Sequence, residues 1–175
     1  QKTHPGKSVA FYAYISHTDP PKNVTVHPNV IPVICHTPWD FCPHHAISDP
    51  KCARNKLFAE NVRGWGRLAR KFYLYDYYGH YGWYGPYGLV HTIRRDLPWL
   101  KSKGLAGFNS ETHRNWWTQG PNLYVPIRLS WNLGDDVDLI VREYSEHLFG
   151  PGGPFMKQYF QMGEDLLANT PYDRD

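Results

Sequence analysis

The hydrophobic pattern divides the chain into apolar runs and helical spacings. Val9-Ala10-Phe11-Tyr12-Ala13-Tyr14-Ile15 is a β-branched and aromatic run that ends at polar Ser16-His17-Thr18-Asp19 and Pro20-Pro21. That profile predicts a buried strand with a loop behind it. Val30-Ile31-Pro32-Val33-Ile34-Cys35 and Phe72-Tyr73-Leu74-Tyr75-Asp76-Tyr77 are runs of the same kind, and Leu105-Ala106-Gly107-Phe108 is a short fourth strand leading into Asn109-Ser110-Glu111. Pro32 has no N–H to give to a ladder, which counts against a central place for the second strand. Residues 53–70 carry apolar side chains at Leu57, Phe58, Val62, Trp65, Leu68 and Ala69, a helical spacing that Gly64 and Gly66 weaken without removing. A second helix is predicted from about Leu89 to Lys103, with a restart at Asp96-Leu97-Pro98, where Asp can cap and Pro sits in the first turn, and a stop at Gly104. Three helices close the chain: one near 121–133, one from Asp135-Asp136 to Gly150-Pro151, and one from Pro154 with Phe155, Tyr159, Phe160, Leu166 and Leu167 on its apolar side.

Strands separated by long loops or helices imply parallel pairing, hence an α/β sheet. The connection between the first two strands is the shortest, near the minimum for a crossover. A chain of 175 residues is one domain, here with strands and crossovers over 8–134 and closing helices over 135–175. A (β/α)8 barrel takes about 250 residues, so four strands amount to half of one. Either the sheet is small and open, or the chain is the C-terminal half of a TIM-type barrel. The polar and aromatic residues gathered at all four strand ends favour the half-barrel. Its two open edges would then pair with a missing N-terminal half or drive self-association, leaving the isolated polypeptide inactive and poorly soluble.

Composition changes this picture in three places. The formal net charge is +3, spread as 14 basic against 6 acidic residues over 1–105 and 5 against 10 over 106–175. There is no dense Lys/Arg stripe and no apolar run of about 20 residues, so neither a nucleic acid nor a membrane is expected as partner. Seven Trp, thirteen Tyr and eight Phe make 16% of the chain, many of them clustered, as in Tyr77-Tyr78-Gly79-His80-Tyr81-Gly82-Trp83-Tyr84-Gly85-Pro86-Tyr87. Rings with an apolar face and a polar handle suit partly wet ligands such as sugars, although a Gly/Tyr-rich loop can also pack on itself. The three cysteines, Cys35, Cys42 and Cys52, fit one disulfide and a thiol in an exported protein, or three thiols in a cytosolic one. The expectation adopted is export (secreted, periplasmic or at the cell surface); Asn23-Val24-Thr25 adds a weak glycosylation signal.

In parallel α/β proteins the chemistry lies at the carboxyl ends of the strands. Those ends carry Tyr14 and His17; Cys35 and His36; Asp76, Tyr77 and Tyr78; Asn109 and Glu111. Asp76 and Glu111 would sit on neighbouring strands, and a facing carboxylate pair is the apparatus of glycoside hydrolysis. Glu111 precedes Trp116-Trp117, where a stacked sugar could present its glycosidic oxygen, and a Glu beside apolar rings has its neutral, acid form favoured by desolvation. Asp76, flanked by tyrosines, is the better candidate to stay ionised and orient the substrate. The plainer alternative is that both merely bind sugar hydroxyls. A second constellation is His36, Cys42, His44, His45 and Cys52, which offers soft ligands for zinc but matches no closed Cys/His signature. The milder account, a Cys42–Cys52 disulfide with Cys35 left as a buried thiol, is the one expected, with neither a metal nor a cofactor.

Phe11-Tyr12-Ala13-Tyr14 with Pro20-Pro21-Lys22, then His27-Pro28-Asn29-Val30, resembles the middle of glycoside hydrolase family 163, formerly catalogued as a domain of unknown function. The His44-His45 to Cys52 loop, Trp65, Tyr75-Asp76-Tyr77-Tyr78, the stretch from Gly104 to Glu111, Asn115-Trp116-Trp117, Trp131-Asn132, Asp135-Asp136-Val137-Asp138 and Phe149-Gly150-Pro151 agree in order, so the resemblance covers about residues 8–160. It implies a (β/α)8-type, retaining glycosidase with endo-β-N-acetylglucosaminidase action on complex N-glycans, assisted by the substrate's 2-acetamido group. One carboxylate then orients the acetamide while another protonates the leaving oxygen. The N-terminal half of that barrel, where related enzymes keep their acid, is absent from this chain. The competing reading is a non-catalytic carbohydrate-binding or structural module that uses the aromatic loops without turnover.

Overall fold

The computed structural model describes residues 3–79, 85, 87–112, 114 and 116–172. Four strands, β1 (Val9–Ala13), β2 (Val30–Cys35), β3 (Phe72–Asp76) and β4 (Leu105–Ser110), form one sheet in the order β1-β2-β3-β4, every pair parallel. Helix α1 (Ala53–Leu68) joins β2 to β3, and α2 (Val90–Ser102) joins β3 to β4. Helices α3 (Trp116–Trp131), α4 (Val137–Phe149) and α5 (Gly153–Ala168) complete the chain. The α/β class, the parallel pairing and the strand order agree with the sequence pattern.

Pro32 does lie in a central strand. It precedes the first β2–β3 pair, Val33 with Tyr73, so its missing N–H takes nothing from that ladder. The ladder between β3 and β4 slips by one residue after Phe72, leaving Ala106 as a bulge. Gly104 (φ +107°) and Gly150 (φ +52°) end α2 and α4 in backbone conformations that a side chain would strain.

Alternation along the strands assigns the two faces of the sheet. Ala13, Ile34, Phe72 and Leu74 pack into the core with Phe58, Val62 and Trp65 of α1 and Ile93, Leu97 and Leu100 of α2. The opposite face holds Tyr12, Tyr73 and Tyr75, which stay partly open to solvent.

Several helix expectations need correction. Helix α2 runs without a restart at Asp96, whose carboxylate instead accepts the Ile47 N–H at 2.8 Å. Helix α3 begins five residues before Pro121, because Tyr144 of α4 donates to the Trp116 carbonyl (2.9 Å) and anchors an earlier turn. Leu57, Phe155 and Leu166 are exposed rather than core residues.

Helix α2 has neither an acidic residue in its first turn nor a side-chain cap of its own. Glu164 of α5 supplies both, accepting from Val90 N and His91 N (2.9 Å each) and from His91 Nδ1 (2.6 Å). Gly88 permits the approach, since a Cβ there would run into the Glu164 backbone. We expect Glu164→Ala to lower stability by about 2–3 kcal/mol, read as a lower urea midpoint, with Glu164→Gln losing less. Equal midpoints for Glu164→Ala and wild type would show that α2 needs no cap from α5.

Candidate functional site

A belt of aromatic rings crosses the carboxyl end of the sheet. Tyr12 of β1 meets Tyr75 of β3 edge-on at 5.5 Å, Tyr75 meets Tyr77 at 5.5 Å, Tyr77 meets Trp39 at 5.4 Å, and Trp39 meets Tyr14 at 6.5 Å. Period-two spacing explains it: Tyr12 and Tyr14, like Tyr73, Tyr75 and Tyr77, fall on the same side of successive strand pleats. Trp39 comes from the loop after β2, which Arg54 of α1 holds through the carbonyls of Pro38 (3.3 Å) and Asp40 (3.2 Å). Trp39 is 51% exposed and Tyr12 57%, Tyr14 and Tyr75 are half-buried and Tyr77 is buried, so the belt opens to solvent at Tyr12 and Trp39.

Glu111 joins this belt. It follows β4 directly, and its Oε1 accepts from the Tyr75 hydroxyl at 3.2 Å. Its backbone is fixed on both sides, donating to the Asp76 carbonyl (2.9 Å) and accepting from the Gly79 N–H (3.1 Å). Burial, then the charge of Glu111 and its hydrogen bond, push the Tyr75 phenol up to about 12, so it remains a neutral donor to the carboxylate. Tyr77 is raised further, first by burial and then by Tyr14 and Glu111.

Asp76 is not part of that surface. It is the residue after Tyr75 and so points to the helix side of the sheet, where it is 5% exposed. Its Oδ1 accepts the Tyr77 N–H (2.7 Å) and its Oδ2 accepts from His36 Nδ1 (3.3 Å). The expected facing pair of carboxylates is therefore absent, although Asp76 ends β3 and Glu111 directly follows the adjacent β4.

His36, also expected to bind substrate, is buried between Asp76 and Asn55 and packs its ring on Phe41 and Phe58. The Asn55 amide has only one workable orientation: its Nδ2 donates to the carbonyls of Cys42 (2.8 Å) and His45 (2.7 Å), and its Oδ1 accepts the Cys42 N–H (2.9 Å). Both His36 nitrogens consequently face acceptors. Burial disfavours the imidazolium, but the Asp76 charge and hydrogen bond outweigh it, with help from Asp96 and Asn55, and its pKa lies above the ordinary histidine value.

The remaining expected residues disperse. Tyr78 is buried against Phe108, and Asn122 pins the chain there by donating to the Tyr78 (3.2 Å) and Tyr87 (2.5 Å) carbonyls. Tyr14 and Tyr77 lie in the belt, while His17 is exposed with Nδ1 2.9 Å from the Ser16 hydroxyl. Asn109 and Trp116 line a groove of about 600 Å³ between β4 and α3. Trp117 packs on Phe149 at 5.7 Å, at the C-terminal helices and not with Glu111. His80, Tyr81, Gly82, Trp83, Tyr84, Pro86 and Asn115 lie outside the described residues.

The cysteines also depart from expectation. Cys35, Cys42 and Cys52 are three buried thiols and the Cys42–Cys52 disulfide is not formed. Cys42 Sγ is turned instead toward His44 and His45, all three donor atoms lying within 4.8 Å of one another. Cys35 donates weakly to the Val33 carbonyl, and burial followed by the Asp76 charge raises it to about 12, which makes it an inert thiol. Among the described residues, no helix is long and apolar enough to cross a membrane.

The fold and these contacts define an α/β domain with a carboxylate set in an aromatic surface at its strand ends. By sequence, the chain belongs to the family described as a domain of unknown function, DUF4838, whose model matches residues 1–161. Neither the curated proteins nor the solved structures contain a match.

Sequence reading missed Tyr12, Tyr75 and Trp39. The period-two tyrosines were a visible signal for the first two; nothing local marks Trp39. It also missed buried Asp96, which burial pushes up to about 7 against the pull of His36 and the Ile47 N–H. Asp96 and His36 both bind a proton more tightly folded than unfolded, so stability falls as pH rises. The Asp96 contribution is lost between about pH 4, the unfolded carboxylate value, and about 7, and that of His36 as pH rises through its raised value. The melting temperature should be higher at pH 5.5 than at pH 8, and Asp96→Asn, which keeps an oxygen for Ile47, should flatten that slope. A slope unchanged by Asp96→Asn would remove Asp96 as its cause. Thiol counting in denaturant without reductant should give three reactive groups; a count of one would restore the disulfide.

Proposed function

We propose that this domain is carbohydrate-active, that Glu111 and the aromatic belt form its sugar subsite, and that in the full-length protein it acts as a glycoside hydrolase. The observation that carries the reading is the Glu111 carboxyl held at 3.2 Å by the Tyr75 phenol, beside a run of rings at the strand ends of which Tyr12 and Trp39 are exposed. Sugars offer an apolar C–H face to a ring and hydroxyls to a carboxylate, and this surface provides both. The resemblance noted in the sequence narrows the substrate to N-acetylglucosamine-containing glycans and the chemistry to acetamido-assisted, retaining hydrolysis. Glu111 then protonates the leaving oxygen or grips a sugar hydroxyl.

The sheet fits the C-terminal half of a (β/α)8-type barrel. In that frame the tyrosine face turns toward the barrel interior, and β1 and β4 are the edges where the other half pairs. A non-catalytic carbohydrate-binding module is the second reading. The orientation of Asp76, away from Glu111, favours it, because the second carboxylate expected at the subsite is engaged by His36 and the Tyr77 N–H instead.

The two readings part on one experiment in the full-length protein. Glu111→Gln is assayed on a natural glycan and on an activated aryl glycoside, which needs little protonation of its leaving group. Loss of a general acid lowers glycan turnover by about 10²–10⁴ and spares the aryl substrate. Equal losses on both make Glu111 a binding residue, and turnover undetectable on either substrate by the wild type supports the module. Trp39→Ala should raise KM, or weaken glycan binding, with little change in kcat.

A further inference from the structure

We propose that Cys42, His44 and His45 form a binding site for a single zinc ion. None of its ligands belongs to the Glu111 surface, and it does not depend on the function assigned to that surface. The three donor atoms come from a four-residue stretch and converge to within 4.8 Å of one another. The His44 and His45 rings lie 4.9 Å apart, tilted by 59°. Tetrahedral zinc, with bonds of about 2.3 Å to sulfur and about 2.0–2.1 Å to nitrogen, needs its donors about 3.5 Å apart. Side-chain rotation of about 1 Å closes the difference.

The donor set selects the ion. One thiol and two imidazoles are borderline-soft ligands, unlike the all-oxygen sets that hold calcium or magnesium. On binding, the Cys42 thiol gives its proton to solvent and ligates as thiolate, while both imidazoles ligate neutral. The fourth position is left for water. His44 is half-buried and lines a cleft of about 430 Å³ with Pro38, Trp39, Pro43 and Arg54, which gives the ion a route in.

The loop is held in shape by contacts outside the donor set. Asn55, fully buried, satisfies the Cys42 N–H and the carbonyls of Cys42 and His45. His91 Nε2 donates to the His44 carbonyl at 3.1 Å, and His91 is itself fixed by Glu164. The His45 ring stacks on Tyr172 at 4.1 Å. Such outer contacts orient metal ligands before the ion arrives. The backbone contacts of this frame come from Asn55 of α1 and His91 of α2, so the loop geometry belongs to the folded domain.

The test uses protein purified without a polyhistidine tag, stripped with chelator and titrated with Co²⁺ and then Zn²⁺. The expected result is one equivalent of Co²⁺ giving a thiolate-to-cobalt charge-transfer band with visible ligand-field bands of tetrahedral intensity, all displaced by Zn²⁺. Cys42→Ser should abolish the charge-transfer band. His44→Ala, at a half-exposed position that folding tolerates, should weaken Zn²⁺ affinity at least about tenfold in competition with a chromogenic chelator. Cys35→Ser should leave both unchanged. Folded wild-type protein that binds no stoichiometric Co²⁺ or Zn²⁺ would overturn the site, as would a charge-transfer band that survives Cys42→Ser or a His44→Ala variant with wild-type affinity.

Discussion

Parallel strands that follow one another across a sheet can be joined by right-handed crossovers only if every crossover lies on the same side. Most of what this domain can do follows from that constraint. Helices α1 and α2 bury the side carrying Ala13, Ile34, Phe72 and Leu74. The other side carries Ile31, Val33 and Cys35 of β2 and, flanking them, tyrosines whose rings reach across from strand to strand. A single step along β3 then separates two fates: Tyr75 faces the open side and holds Glu111, while Asp76 faces the helices and holds His36. Two carboxylates on neighbouring strands thus come to do unrelated work.

The interior on the helix side buries polar backbone groups of two loops, and amide side chains satisfy them. Asn55 serves the loop after β2, and Asn122 serves the chain after β3, accepting from Leu89 and donating to the Tyr78 and Tyr87 carbonyls. An unsatisfied buried backbone group costs about 1–3 kcal/mol, so a loop with several of its groups met by one amide has little freedom to choose another shape. The same device therefore stabilises the core and fixes the two loops that border the strand ends. Glu164 does likewise for α2 from a helix more than sixty residues further along the chain.

The strands were legible because β-branched and aromatic runs bounded by Pro, Gly and Asp carry their own signal, and the parallel order followed from the long connections between them. Glu111 could be placed from its position just past β4, and the crowding of Tyr along β1 and β3 already contained the belt. The errors were of one kind. Asp96 reads locally as a cap, Asp76 as an exposed strand-end acid, and Cys42 with Cys52 as a convenient disulfide, since each is judged by its neighbours in sequence.

Sequence by itself determined the elements, their parallel association and the type of residue at each strand end, because those depend on hydrophobic period and chain length. Only the tertiary structure decided which side of the sheet each of those residues faces, that Ile47 claims Asp96, and that Cys42 turns to His44 and His45 rather than to Cys52. The physical reason is range: periodicity acts over a few residues, whereas the partner of a buried polar group is set by packing between elements far apart in the chain, as Asp76 lies forty positions from His36.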